Sequence, residues 1–522
     1  MAYTIGVSSG LFSIARSQPN QAEGMLTVLR KVFWGAQRGV QFTQMDLDTI
    51  AEFDEPYIMD SVKKIKELGL RFGLHSETQA TGAHTMALDS ALGDEYQRGH
   101  ERMIDHIKGA GKISAEYVLT HISESTPLKL IGTKELQSTQ IVDFWGNDIG
   151  VFLKENPEIM DWAWKQEFMQ KIAFGRGGYS ELSEYNEGYK RRWQSQHPGE
   201  KLTEEKEKDL EIDARKDWEE NNRLNISEST RRPSLSYGTE RLAYALVAKW
   251  MEMHRDPIWI DIVGEGEVFD EKTYHKWGEW VTAVTAKYIW GHFNPKDTKK
   301  FKDPKKLLAE KGIYWVFESE MGKVGWEKHM RLVSIPHIYK TVKAIGSPWV
   351  KVAIDFEHLL SAGENPIKNI ENLPHDSGKD VYVIHVGWPT PHAPGHVPLY
   401  VGSEAQQYVY EGLYKLRQKG WKDGIIIFER GGGEDPVKTS VASLRQIVKY
   451  LNMDIEPEKL PEDFFGWGME GGNVRRQFVN LRMHAYDPLG GLITQPEEEH
   501  GFIGKTAIDK GKGEQWKKEK YK

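Results

Sequence analysis

His75, His121, Glu318, Asp355, His358, His385 and Glu429 are the side chains of this protein best placed to do chemistry. Each stands at or just past the end of a short apolar run. His75 lies in RFGLHSE, His121 in VLTHISES, Glu318 in WVFESE, Asp355 and His358 in VAIDFEH, His385 in VYVIHVG and Glu429 in IIIFERGG. Imidazoles and carboxylates are the donors a divalent cation takes when sulfur is lacking, and the chain has no cysteine. Thiolate sites and disulfides are therefore excluded. Taken singly, a histidine after a strand is usually a hydrogen-bonded loop residue, and an acidic one often caps the following helix. Six successive runs that each end in a donor point to a metal site, provided the fold brings those ends together.

The elements that would do so are legible. Strands are expected at Tyr3–Val7, Val40–Met45, Leu70–His75, Ala115–His121, Ile313–Glu318, Trp349–Asp355, Val381–His385 and Gly424–Glu429. Several are nearly continuous apolar runs, as in Ile425-Ile426-Ile427-Phe428, which suits parallel strands covered on both faces. Helical stretches alternate with them. Tyr57–Leu68 places Ile58, Val62, Ile65 and Leu68 on one stripe and stops at Gly69; Glu404–Lys419 stops at Gly420, and Pro436–Leu451 opens on a proline. Eight such alternations predict an α/β fold, a closed (β/α)8 TIM barrel, whose strand ends converge on one mouth.

Between strands 4 and 5 there is far more chain than one crossover needs. Residues 123–312 hold helical patterns over Asn156–Phe174, Thr203–Leu224, Thr239–His254 and Lys272–Phe293, and many of the tryptophans. The expectation is a mostly helical insertion that includes the fourth crossover helix, set into a barrel of residues 1–122 and 313–451. Residues 452–522 form a C-terminal extension with a Gly-rich stretch at Gly466–Gly472 and a Lys-rich tail at Lys505–Lys522.

The segment Asp355-Phe356-Glu357-His358-Leu359-Leu360-Ser361-Ala362-Gly363 fits a D-x-x-H-x-x-x-A-G run, and His396-Val397-Pro398-Leu399 resembles an H-x-P-x-G turn. Glu429 is followed by Asp435-Pro436 and Ser443-Leu444. In these residues the chain resembles the xylose isomerase-like barrels, and within them the endonuclease IV branch (AP endonuclease family 2). The resemblance spans the barrel and leaves the insertion and tail unexplained. It implies one metal on His75 and His121 with Glu318 bridging to a second, which also meets Asp355, His385 and Glu429. A third would take His358 and His396. The family's pattern has an aspartate two residues before that last histidine, where this chain has Pro394.

Two chemistries follow. The first is hydrolysis of a phosphodiester, of the abasic-site DNA type, by metal-activated hydroxide on a zinc cluster. The second is isomerisation or epimerisation of a sugar or sugar phosphate on a single Mn, Co or Mg ion, with Glu318 and Glu429 as acid and base. A third reading is a barrel without turnover whose Trp-rich insertion forms an oligomer. The net charge, 69 − 77 = −8, counts against a polyanionic partner. Lys190-Arg191-Arg192 and Arg231-Arg232 are the basic patches of the insertion, and Trp388 is placed to stack on a ring. The N-terminal stretch reads as a strand and no segment approaches a membrane span, so a cytoplasmic protein is expected.

Overall fold

A computed structural model describes residues 3–9, 28–47, 49–77, 86–123, 141–166, 182–197, 202–229, 235–270, 273, 277–319, 332–387, 397–429 and 436–466. All eight expected strands form: β1 Tyr3–Ser8, β2 Phe42–Asp46, β3 Arg71–His75, β4 Tyr117–His121, β5 Tyr314–Glu318, β6 Val350–Asp355, β7 Val381–Val386 and β8 Gly424–Phe428. They pair in sequence order, all parallel, and β8 returns to pair with β1 from Tyr3↔Gly424 to Val7↔Phe428. The result is a closed barrel with no free edge.

Strand parity sorts the side chains into two sets. One set faces the barrel interior, where Phe42, Tyr117, Leu119, Val316, Ala353, Val383, Ile425 and Ile427 pack into a small cluster of their own. The other set packs outward against the helices in a much larger core. Continuing the inward parity by two residues reaches Gln44, His121, Glu318, Asp355, His385 and Glu429. The alternation that fills the barrel with Val and Ile therefore also aims these groups into its mouth. Gly73 on β3 makes room for this interior, since a Cβ there would lie 2.3 Å from the Tyr117 ring.

Two helices stop at the glycines expected to end them. The helix Ile58–Glu67 gives way to Gly69 at φ +65°, and Gly420, at φ +93°, follows the helix Glu404–Gln418. Between β4 and β5 lie helices Ile149–Glu155, Pro157–Trp164, Leu182–Gln196, Glu204–Ser229, Leu235–Met253, Pro257–Ile262, Trp277–Phe293 and Pro304–Lys311. Within the expected helical stretch over 156–174 a helix forms over Pro157–Trp164, opening on its proline and ending earlier than expected. The helix Ile149–Glu155 just before it was not expected; Pro157 separates the two, because proline forces the residue before it out of helical geometry, and Asn156 sits at φ −130°, ψ 66°. The last residues of that stretch, 167–174, lie outside the described residues, as do the Gly-rich stretch from residue 467 on and the Lys-rich tail. The helix Leu182–Gln196 was not anticipated. Its Lys190 pairs with Glu207 and, at 3.3 Å, with Glu211, so part of that basic patch is a cross-helix ion pair; Arg231 and Arg232 lie outside the described residues.

The helix Trp277–Phe293 takes the place of the fourth crossover. It buries Val281, Val284, Tyr288, Ile289 and Phe293 on all sides, as a helix covered all round must. Trp290 Nε1 donates to Ala344 O at 3.1 Å on the helix Ile335–Ile345, and His292 stacks on Tyr96 of the helix Gly93–Ile113 at 3.8 Å between ring centroids. Next to it His100 Nε2 donates to Lys302 O, 3.0 Å away.

This knot makes a pH prediction. Burial pulls the His100 imidazole down to about 4, and burial together with His100 holds His292 well below its usual value. A histidine depressed on folding leaves stability intact above its unfolded value near 6.5 and removes it as pH falls toward 4. The loss attributable to His100 should approach about 3 kcal/mol. Asp143, pushed up by burial to about 6, titrates in the same window with the opposite sign. The melting temperature of wild type should therefore fall more steeply than that of His100→Leu between pH 6.5 and 4. Parallel curves for the two proteins would refute the assignment.

Candidate metal centre

The D-x-x-H segment shows how local sequence sets up the site. Asp355 closes β6 and caps the helix Phe356–Ser361, its Oδ1 accepting from the His358 N–H at 2.8 Å. The cap leaves Oδ2 turned to the mouth, 3.8 Å from His358 Nε2 and 3.5 Å from His385 Nδ1. Glu318, at the end of β5, lies at the centre of the group. Its Oε1 is 2.7 Å from His385 Nδ1, and its Oε2 is 3.8 Å from His75 Nε2 and 3.5 Å from His121 Nε2. Glu429, just past β8, brings Oε2 to 3.6 Å from His385 Nδ1.

Three sets of donors converge: His75, His121 and Glu318; Glu318, Asp355 and His358; and Asp355, His385 and Glu429, each with ligand atoms within 4.8 Å of one another. Donors arranged tetrahedrally about 2.1 Å from a cation stand roughly 3.4 Å apart, which matches these separations. The structure thus brings together seven of the eight residues named from the sequence. The eighth, His396, lies outside the described residues, as do Pro394 and Trp388.

Whether the group fits a cation is tested by the outward nitrogens of its histidines. His75 Nδ1 is 2.9 Å from Ser76 O and His358 Nδ1 is 2.8 Å from Ser319 O. A carbonyl only accepts, so each Nδ1 carries a proton and each Nε2 is the nitrogen left to take a cation, or a second proton, among the carboxylates. His385 is turned the other way round, with Nε2 2.9 Å from Gln44 Oε1 and Nδ1 inward. Binding the outer nitrogen to a protein acceptor is how metal-ligating histidines are held. Glu318 has no exposed surface, and neither of its oxygens nor His385 Nδ1 has a well-directed hydrogen bond from a described residue. Buried, under-satisfied acceptors facing inward lone pairs suit a cation.

The ion-free electrostatics agree. Burial pushes the Glu318 carboxyl up, but His385, His75 and His358 outweigh it and hold it well below the carboxylate range. Burial likewise opposes charge on His385, and Glu318, Asp355 and Glu429 overcome that to hold the imidazole well above its usual value. Asp355 is shifted down and His358 up by the same mutual attraction against burial. Protons here stand where a cation would, and the two compete.

Sequence reading missed Gln44 and Tyr117. The Tyr117 hydroxyl donates to Gln44 Oε1 at 2.9 Å, and burial pushes that phenol well above its ordinary value, so it stays a donor. A signal was present: Gln44 is an amide in the middle of an otherwise covered strand, at the parity of the interior. Glu77, two residues past His75, is also buried, accepting from Ile50 N at 2.9 Å and lying 3.9 Å from His106 Nε2.

No family model matches this chain, and no curated protein matches it. Among solved structures it is similar to a D-tagatose 3-epimerase-like protein, at 12% identity, covering 86% of this chain and 98% of that one with a TM-score of 0.42. An L-ribulose 3-epimerase matches at 10% identity, 87% and 98% coverage and a TM-score of 0.39. A xylose isomerase-like TIM barrel/4-hydroxyphenylpyruvate dioxygenase fusion protein matches at 9% identity, 88% and 46% coverage and a TM-score of 0.39. Likeness of this degree assigns no family. No helix among the described residues is long and apolar enough to cross a membrane.

Proposed function

We propose that this protein is a divalent-metal enzyme that isomerises or epimerises a small ketose or ketose phosphate. One observation carries the reading. Glu318 and Glu429 come from β5 and β8, on either side of β6 and β7, and both turn a carboxylate oxygen to His385 Nδ1, with Asp355 beside them. Glu318, Asp355, His385 and Glu429 would hold the ion. A bound cation would fix a carbonyl and its neighbouring hydroxyl and favour the enediolate. The protein's own part is proton transfer. One glutamate removes the proton from the hydroxyl-bearing carbon next to the carbonyl. For epimerisation the other returns a proton to the opposite face of that carbon; for isomerisation a proton returns to the former carbonyl carbon and the hydroxyl proton passes to the former carbonyl oxygen. Glu318 is fully buried, while the Glu429 side chain keeps 16% of its surface exposed, so Glu429 is the one that meets solvent and entering substrate.

This reverses the order in which the resemblance placed the two chemistries. A centre sunk in the barrel mouth suits a small molecule, and the net charge of −8 disfavours a polyanion such as DNA. Hydrolysis remains the second reading on one specific observation. His75 and His121 attend the other oxygen of Glu318, which supports a second ion bridged to the first, the arrangement that in-line phosphoryl displacement uses. Incubating the Mn²⁺-loaded and Zn²⁺-loaded protein with a panel of ketoses and ketose phosphates in ²H₂O, beside an abasic-site duplex, separates the two. Deuterium entering a sugar at the carbon next to its carbonyl is the expected result. Strand cleavage without sugar turnover would overturn the proposal.

A further inference from the structure

Gln44 is bonded on three sides. Its Oε1 lies 2.9 Å from both the Tyr117 hydroxyl and His385 Nε2, and its Nε2 lies 3.5 Å from Asp46 Oδ1. Asp46 is fixed in turn. The Ser8 hydroxyl donates to its Oδ2 at 2.6 Å, Ser9 Oγ accepts from its N–H at 3.1 Å, and the buried Lys31 ammonium donates to its carbonyl at 2.8 Å. A carboxylate can only accept, so the amide must turn its NH₂ toward Asp46 and its oxygen toward His385 and Tyr117. With oxygen there, the proton on the His385 ring must sit on Nε2. The lone pair of Nδ1 then points at Glu318, Asp355 and Glu429.

We propose that Gln44 is a positioning residue for the candidate metal centre: its side-chain oxygen holds His385 by Nε2–H, so that Nδ1 is the nitrogen offered to the ion. The inference rests on the ion-binding part of the proposed function and is independent of the reaction. His385 differs here from His75 and His358, which present Nε2 and tie Nδ1 to nearby carbonyls. Its outer partner is a side chain three strands around the closed barrel, β7 to β8 to β1 to β2, reached across the interior. A mutation in β2, a strand that contributes no donor to the clusters, should therefore act on ion binding.

The test titrates Mn²⁺ into wild type, Gln44→Leu and Tyr117→Phe. Gln44→Leu, which keeps bulk and loses the acceptor, should bind Mn²⁺ roughly 10 to 100 times more weakly. Tyr117→Phe leaves the amide on His385 and should stay within about threefold of wild type. In parallel, ¹⁵N spectra of histidine-labelled, Zn²⁺-loaded wild type should show His385 with a proton on Nε2 and the ion on Nδ1. Equal Mn²⁺ affinity in Gln44→Leu, or an ion on His385 Nε2, would overturn the proposal. If Gln44→Leu yields no folded protein, the wild-type spectrum decides alone. A wild type that binds neither ion sinks this inference and the proposed function together, whereas one that binds ions and turns over no ketose sinks only the reaction.

Discussion

Replacing Glu318 by Gln should strip the protein of bound divalent ion and of turnover together. The two oxygens of Glu318 face two different donor groups, His385 on one side and His75 with His121 on the other. The amide is nearly isosteric, so packing around it should hold, but it offers one weaker oxygen and puts an NH₂ against inward nitrogens. Losing a second-sphere partner already weakens a metal by about 10 to 100-fold. Losing a charged ligand to the ion itself should exceed that, and kcat/KM should fall by at least about 10³ if the same group also moves the proton. Metal content after gel filtration and isotope exchange into the sugar report the two effects separately. Glu429→Gln gives the contrast. Glu429 belongs only to the Asp355–His385 group, so its loss should abolish turnover and weaken the ion held there, while leaving the His75, His121 and Glu318 donors intact. Equal ion content and activity in Glu318→Gln and wild type would remove the basis of the whole reading.

The barrel and most of this centre were legible before any coordinates, for a physical reason. Parallel strands covered on both faces must be apolar almost throughout, so Ile425-Ile426-Ile427-Phe428 announces a strand, and a charged residue at its end, Glu429, stands out against it. The same contrast marked Glu318, Asp355 and His385. What escaped was anything whose meaning depends on which strands become neighbours. Gln44 reads as an ordinary polar residue until closure of the barrel sets it opposite His385, 341 residues away. The inverted attachment of His385 relative to His75 and His358 is likewise invisible, since all three are simply histidines at strand ends. The insertion was legible as helices but not as packing. Nothing in the alternation of Trp277–Phe293 says that it lies between the helices Gly93–Ile113 and Ile335–Ile345.

That packing carries the largest expected loss of stability from a single methyl group. Gly291 faces the turn at residues 143–147 so closely that a Cβ would lie 1.3 Å from Phe144 O and 2.5 Å from its carbonyl carbon. The turn has no room to retreat. Asp143 Oδ1 accepts from Trp145 N and Asn147 N, both at 2.9 Å, and the Tyr96 hydroxyl donates to Phe144 O at 3.2 Å. On the helix itself, Tyr288 donates to Val142 O at 2.8 Å. Gly291→Ala must therefore separate helix and turn by roughly 2 Å in a close-packed interior, breaking those bonds and opening the contact between His292 and Tyr96. The cost should exceed about 3 kcal/mol, seen as a clear fall in melting temperature and faster proteolysis within residues 141–311. Gly188→Ala is the control. It sits in the helix Leu182–Gln196 with nothing within 4 Å of a new Cβ, and should gain up to about 1 kcal/mol from helix propensity. Mn²⁺ affinity should stay near wild type in both variants, because neither change touches the inward face of the strands. A Gly291→Ala protein as stable as wild type would mean that the helix Trp277–Phe293 does not pack closely against this turn.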